Sequence, residues 1–135
     1  MTLAWQRRIR SVLESHQLTH VQFVLLASLW WMADHDDQPP TQSQLANQAG
    51  TDPMMTSQVI RKLETRGLLE RALDPADSRA RRLGLTAAGR ALVSRALADV
   101  EASDEEYFSV LGRERDTFVR ALRTLEATPA PPPVT

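Results

Sequence analysis

The sequence predicts a mainly α-helical fold carrying one small β-hairpin, and three observations support this. Thr19, Thr41 and Asp52 each stand where a helix N-cap belongs, ahead of a stretch with helical periodicity. Apolar residues recur at helical spacing on both sides of the middle third. Between residues 68 and 85 the period shifts towards alternation, and Asp74, Pro75, Ala76, Asp77 and Ser78 supply turn chemistry in its centre. Two short helices joined at Gly50, followed by an arginine-loaded hairpin, give the order of a winged helix-turn-helix with further helices at both ends.

Taken in order, the first helix is expected over residues 3–15, with Leu3, Ile9, Val12 and Leu13 apolar. Thr19 and Gln22 form a capping box for the second, in which the Thr hydroxyl and the Gln side chain each satisfy a free helix-end amide. That helix runs to about Asp34 and is apolar on almost every side, so it is expected to be a central beam surrounded by others. Residues 35–40 read as a loop. Thr41 and Gln44 repeat the capping box, and a short helix to Ala49 buries Leu45, Ala46 and Ala49. Gly50 and Thr51 make a turn. Asp52 caps the next helix, and Pro53 takes the first helical position, where its missing N–H costs nothing. Gly67 ends that helix near Arg66 as a left-handed cap.

Residues 68–73 are expected to form a strand with Leu69, Arg71 and Leu73 on one face. Residues 79–85 return, with Leu83 and Leu85 on one face. Thr86 caps a long helix whose stripe is Leu92, Val93, Ala96, Leu97 and Val100. Ser103, Asp104, Glu105 and Glu106 read either as a polar patch or as a fresh capping box. One helix with a weak point there, reaching about Leu111, is the preferred reading. A last helix over residues 113–127 points Phe118, Leu122 and Leu125 inward, and the Pro-rich segment 128–135 is a flexible tail.

At 135 residues the chain has the length of one domain. It has no cysteine, which excludes disulfides, thiolate zinc sites and thiol-based oxidation sensing. The first residues lack a signal-peptide apolar core, and the longest apolar stretch, 21–33, is interrupted and short; the expected location is the cytoplasm, with no membrane partner. Net charge is −1, but it is unevenly spread. Residues 54–90 carry eight cations against four acids, and residues 99–126 carry eight acids against four cations. The basic middle suits phosphates whatever the total charge. The acids of 101–106 read as a solvated face.

The B-DNA major groove admits one α-helix, which must bury one stripe and present the other. In the helix after Asp52 the buried stripe is Thr56, Val59, Ile60 and Leu63, and the opposite side carries Met54, Met55, Ser57, Gln58, Arg61 and Lys62. Gln58 suits adenine and Arg61 guanine, Ser57 takes a phosphate or base edge, and Met55 suits a thymine methyl. Gln42 and Ser43, opening the preceding helix, are placed for phosphates. Arg79, Arg81 and Arg82 sit on or just beyond the hairpin tip, where a thin wing suits the minor groove; Asp77 is expected to pair with Arg79 and hold its angle.

The segments 41–46 (Thr-Gln-Ser-Gln-Leu-Ala), 60–71 (Ile-Arg-Lys-Leu-Glu-Thr-Arg-Gly-Leu-Leu-Glu-Arg), 74–79 (Asp-Pro-Ala-Asp-Ser-Arg) and 85–89 (Leu-Thr-Ala-Ala-Gly) together resemble the MarR family of bacterial transcription regulators. The resemblance covers roughly the middle third in detail. It implies a homodimer built from the first and last helices, binding double-stranded DNA at a palindromic operator, most simply as a repressor. Gln42, Met55, Ser57, Gln58, Arg61 and Arg79 inherit DNA contacts, with Asp77 orienting Arg79. The pair Met54-Met55 departs from the family's small polar residues. The implied organisation is one unit over 1–127, with the winged-helix core at about 36–86 and dimerisation helices at about 3–18 and 87–127.

Family resemblance further implies release by a small aromatic or acidic effector, for which Trp5, Arg8, His16, Trp30 and Trp31 are candidate lining residues. No cofactor and no metal are expected: His16 and His20 flank a loop instead of sharing a face. No nucleophile motif, Gly-rich phosphate loop or carboxylate pair points to an enzyme. The alternative is a dimeric winged-helix module that docks a protein and not DNA. Salt separates the two, because only DNA binding weakens steeply as counterions are released.

Overall fold

A computed structural model describes residues 2–74 and 76–127 and, within them, all side chains but those at 2, 78 and 80; these residues form six α-helices, a 3₁₀ turn and one antiparallel hairpin. The helices are α1 (Thr2–Glu14), α2 (His20–His35), α3 (Gln42–Ala49), α4 (Pro53–Thr65), α5 (Ala87–Phe108) and α6 (Arg115–Ala127); the strands are β1 (Leu69–Asp74) and β2 (Asp77–Leu85). The expected flexible tail at 128–135 lies outside the described residues.

Each cap acts as the sequence requires. Thr19 and Thr41 accept from the amides of Gln22 and Gln44, whose side chains return the bond to the cap amides. Asp52 accepts from the Met55 amide, and Thr86 from that of Gly89. α2 is the central beam: Leu25 and Leu26 are fully buried, and α1, α3, α4, α5 and β2 all pack against it. Its side chains join Leu13, Leu45, Ile60, Leu63, Leu83 and Val93 in one apolar cluster.

The long helix runs through 103–106 as one helix, as expected, but it has no weak point there and ends short of Leu111. Residues 103–106 lie inside an unbroken α5, whose axis runs to Phe108. The break comes later, in a tight 3₁₀ turn over Ser109–Glu114, where Gly112 adopts φ 53°, ψ −120°. A side chain with a Cβ is strained there, so the glycine and not the acidic run sets the bend. The acids are also not a bare solvated face. Asp104 accepts from the Trp5 indole at 2.8 Å, Asp99 meets His16 at 2.6 Å and Glu106 pairs with Arg8 at 3.3 Å, stitching α5 to α1 and to the turn after it.

α6 corrects a second expectation. Phe118 is partly covered by Phe108, but Leu122 is 44% exposed and Leu125 69% exposed, so the stripe faces outward from this chain. Among the described residues α6 packs mainly on the 3₁₀ turn and, through Phe118, on the end of α5, which leaves that side uncovered. Among the described residues no helix is long and apolar enough to cross a membrane.

Candidate nucleic-acid interface

α4 is built to be read from one side. Thr56, Ile60 and Leu63 are wholly buried, and Val59 is partly so, which fixes the rotation of the helix against α2 and α3. Thr56 is a buried hydroxyl with every bond satisfied. It donates to the Asp52 carbonyl at 2.7 Å, and because that uses its one proton, Thr51 donates to it at 2.6 Å. The turn is thereby tied to the first turn of the helix it launches. Sequence reading placed Thr56 in the stripe but did not foresee the Thr51 partner.

With that side closed, Met54 (74% exposed), Met55 (37%), Gln58, Arg61 and Lys62 open to solvent, and Ser57 is half-buried. Arg61 folds back along its own helix, donating to the Ser57 hydroxyl at 3.1 Å and to the Ser57 carbonyl at 3.4 Å. Three expected base-contacting groups, Ser57, Gln58 and Arg61, therefore occupy adjoining turns. At the other end of α4, Arg66 donates to the Gln17 carbonyl at 2.8 Å, which anchors the helix to the α1–α2 corner. Ser43 is exposed and Gln42 partly so at the first turn of α3.

The hairpin pairs Leu69 with Leu85, Arg71 with Leu83 and Leu73 with Arg81; then the register jumps, and Asp74 faces Asp77. Residues 78–80 are thus left over in the ladder, a bulge that re-aims the side chains it carries. Arg79 sits in it, exposed, with its amide donating to the Asp77 carboxylate at 3.0 Å. Asp77 was expected to hold the Arg79 side chain; the contact seen is to the Arg79 backbone, so its influence on the guanidinium is through the turn. Leu69 is buried but Leu73 is 60% exposed, because the hairpin extends past the core it springs from.

Arg82 corrects the expectation that it joins Arg79 and Arg81 as a wing contact. Its guanidinium is turned inward. Nε and Nη2 donate to Asp74 at 3.0 and 2.9 Å, and Nη1 donates to the Pro39 carbonyl at 2.9 Å and to Gln44 at 3.4 Å. The Ala76 amide first, and the Arg82 guanidinium second, hold the Asp74 carboxyl below the ordinary aspartate range. One arginine so joins the hairpin, the loop before α3 and the α3 capping box. Alternation alone put Arg82 on the same footing as its neighbours; the nearest signal in the sequence was Asp74, ten residues or fewer away across a turn. Arg81 stays exposed, opposite Leu73.

Residues expected to line an effector pocket do not converge. Trp5 lines a cavity of about 460 Å³ between α1, α2 and α5, together with Arg10, His20, Phe23 and Asp104. Arg8 borders a different hollow beside Tyr107 and Phe118. His16 is engaged by Asp99, Trp30 packs against the core, and Trp31 lies half in solvent, stacked on His35 at 4.0 Å.

A reading helix propped by α3, with an arginine-bearing hairpin beside it, defines the protein as a winged helix-turn-helix transcription regulator. Comparison with known proteins agrees. The MarR family pattern matches residues 18–80. The uncharacterized HTH-type transcriptional regulator YdcH of Bacillus subtilis strain 168 is 40% identical over 124 residues, 92% of this chain and 83% of that protein. The chain belongs to the MarR family of transcriptional regulators. Among solved structures, the transcriptional repressor CouR bound to a 23-mer DNA duplex matches with a TM-score of 0.80 at 28% identity, covering 93% of this chain and 86% of that one. CouR from Rhodococcus jostii RHA1 bound to p-coumaroyl-CoA matches with a TM-score of 0.76 at 28% identity, covering 98% and 87%.

Proposed function

We propose that the protein is a homodimeric repressor that binds a palindromic operator and is released by a small acidic or aromatic effector. The observation that carries the reading is the split of α4 into a wholly buried stripe, Thr56, Ile60 and Leu63, and an open side bearing Gln58 and Arg61. A helix so divided offers bidentate partners for adenine and guanine at the width of one major groove. Gln42, Ser43 and Ser57 meet phosphates or base edges, Met55 a thymine methyl, and Arg79 and Arg81 the adjacent minor groove.

Pairing of two chains is supported by the apolar residues left open on the terminal elements: Leu3, Val110, Leu122 and Leu125 are 71%, 86%, 44% and 69% exposed. A second copy meeting them through a two-fold axis covers both sets at once. In this organisation residues 36–86 read DNA, while residues 3–18 and 87–127 pair the chains. Release by a ligand is supported by the α1–α2–α5 cavity, whose volume of about 460 Å³ falls in the range of small-molecule sites and whose lining offers rings from Trp5 and Phe23 and a cation from Arg10. The CouR complex with p-coumaroyl-CoA shows a relative of this fold holding an aromatic acyl ligand.

Selection of bound sequences from a random duplex pool tests the reading. Recovery of an inverted repeat, with a sedimentation mass of two chains, is the expected result. Recovery of no sequence at low salt, or of an asymmetric site by a single chain, overturns it.

A further inference from the structure

We propose that Met54 and Met55 form an oxidation-sensitive site on the reading face, where conversion to methionine sulfoxide releases the protein from DNA. The inference rests on the reading of α4 as the helix that enters the groove.

Methionine occurs in two settings among the described residues. Met32 is 5% exposed in the core, out of reach of a dissolved oxidant. Met54 and Met55 stand side by side in the first turn of α4, 74% and 37% exposed, immediately before the buried stripe begins at Thr56. The chain has no cysteine to compete for the oxidant. Two open thioethers therefore lie on the same outer side as Gln58 and Arg61.

The chemistry needs only a peroxide or a hypohalite. With hydrogen peroxide, a sulfur lone pair attacks one oxygen, the S–O bond forms as the O–O bond breaks, and the departing hydroxide takes the proton of the transferred OH and leaves as water. Sulfur is oxidised by two electrons and the peroxide is reduced by two. An apolar side chain becomes polar, with a strong acceptor oxygen. The groove edge it meets is rich in acceptors, N7 and O6 of guanine and O4 of thymine, and phosphates flank it. Two acceptors brought together lose water and gain no bond, which weakens binding about tenfold for each sulfoxide. Methionine sulfoxide reductases, one for each epimer, regenerate the thioether, so the change is reversible.

The test takes the full chain, partly oxidised with hydrogen peroxide, and a duplex recovered from the random pool. DNA-bound and free protein are separated, digested and mapped by mass spectrometry. The expected result is sulfoxide at residues 54 and 55 enriched in the free fraction, Met32 unmodified in both, and recovery of binding after reductase treatment. A Met54→Leu, Met55→Leu double variant gives a second reading, the ratio of its own affinity before and after peroxide. That ratio should stay near one, against about tenfold or more for the natural chain. Equal sulfoxide in both fractions, or the same loss in the double variant, overturns the proposal. If the untreated chain binds no duplex, the groove reading fails and this proposal falls with it; if only the oxidised chain's loss is missing, this proposal alone falls.

Discussion

The side chains of Arg82 and Asp74 join the two strands of the hairpin diagonally, the guanidinium donating at 3.0 and 2.9 Å to a single carboxylate oxygen. The same arginine reaches the Pro39 carbonyl at 2.9 Å, and the Leu83 amide donates to the Pro40 carbonyl at 2.8 Å. These bonds set the angle between the wing and the helix pair. An exposed surface ion pair contributes little, but this guanidinium is 19% exposed and its donors are shared among three segments.

Arg82 is therefore a positioning residue. In Arg82→Ala, DNA affinity is expected to fall while the slope of log affinity against log salt stays unchanged, because no phosphate contact has been removed. In Arg79→Ala the slope should shallow by about 1 as one phosphate-neutralising cation is lost. Binding titrations at several salt concentrations distinguish the two, and a shallower slope in Arg82→Ala would show that it meets DNA directly.

Gln58→Ala and Arg61→Ala are expected to relax preference at particular base pairs by roughly 1–3 kcal/mol each. Arg61 is held to Ser57, so Ser57→Ala should blur the same position as Arg61→Ala, more weakly. Competition against single-base operator variants reads this out; uniform weakening across all variants would assign these residues to the backbone.

Acid stability follows from Asp74. Its carboxyl is held below the ordinary value of 3.8, by the Ala76 amide and then by Arg82. A depressed folded pKa means that the unfolded chain binds the proton first as pH falls. The contribution is complete above about pH 3.8 and is lost progressively below it, towards the folded-state pKa. Asp74→Asn should lower stability at neutral pH and flatten the loss below pH 3.8, as followed by denaturant midpoints across that window.

Gly89 is fixed by a close approach. A Cβ there would lie 1.8 Å from the Leu68 carbonyl oxygen and 2.7 Å from its carbon. The obstacle is backbone, so it cannot rotate away. Gly89→Ala should destabilise by about 3 kcal/mol, at the upper end of overpacking costs, whereas Ala88→Gly, at an exposed helix position, should cost about 1 kcal/mol. Thermal unfolding of the two variants compares them directly.

Local chemistry settled most of the fold from the residues alone. Caps at Thr19, Thr41, Asp52 and Thr86, the Pro53 start and the Gly67 stop act within a few residues of themselves, so each can be read where it stands. The stripe of α4 was legible for the same reason: helical geometry turns spacing into a face. What tertiary structure alone decided lies between segments distant in the chain. Arg82 was indistinguishable from Arg79 and Arg81 by composition, and it is the folded arrangement of Asp74, Pro39 and Gln44 around it that turns it inward. Asp99, Asp104 and Glu106 became partners once the N-terminal helix and the turn after it lay against α5, and among the described residues Leu122 and Leu125 stay largely open to solvent. Sequence encodes bonds that close over one or two turns; the direction of a long charged side chain depends on which distant acceptor the fold delivers to it.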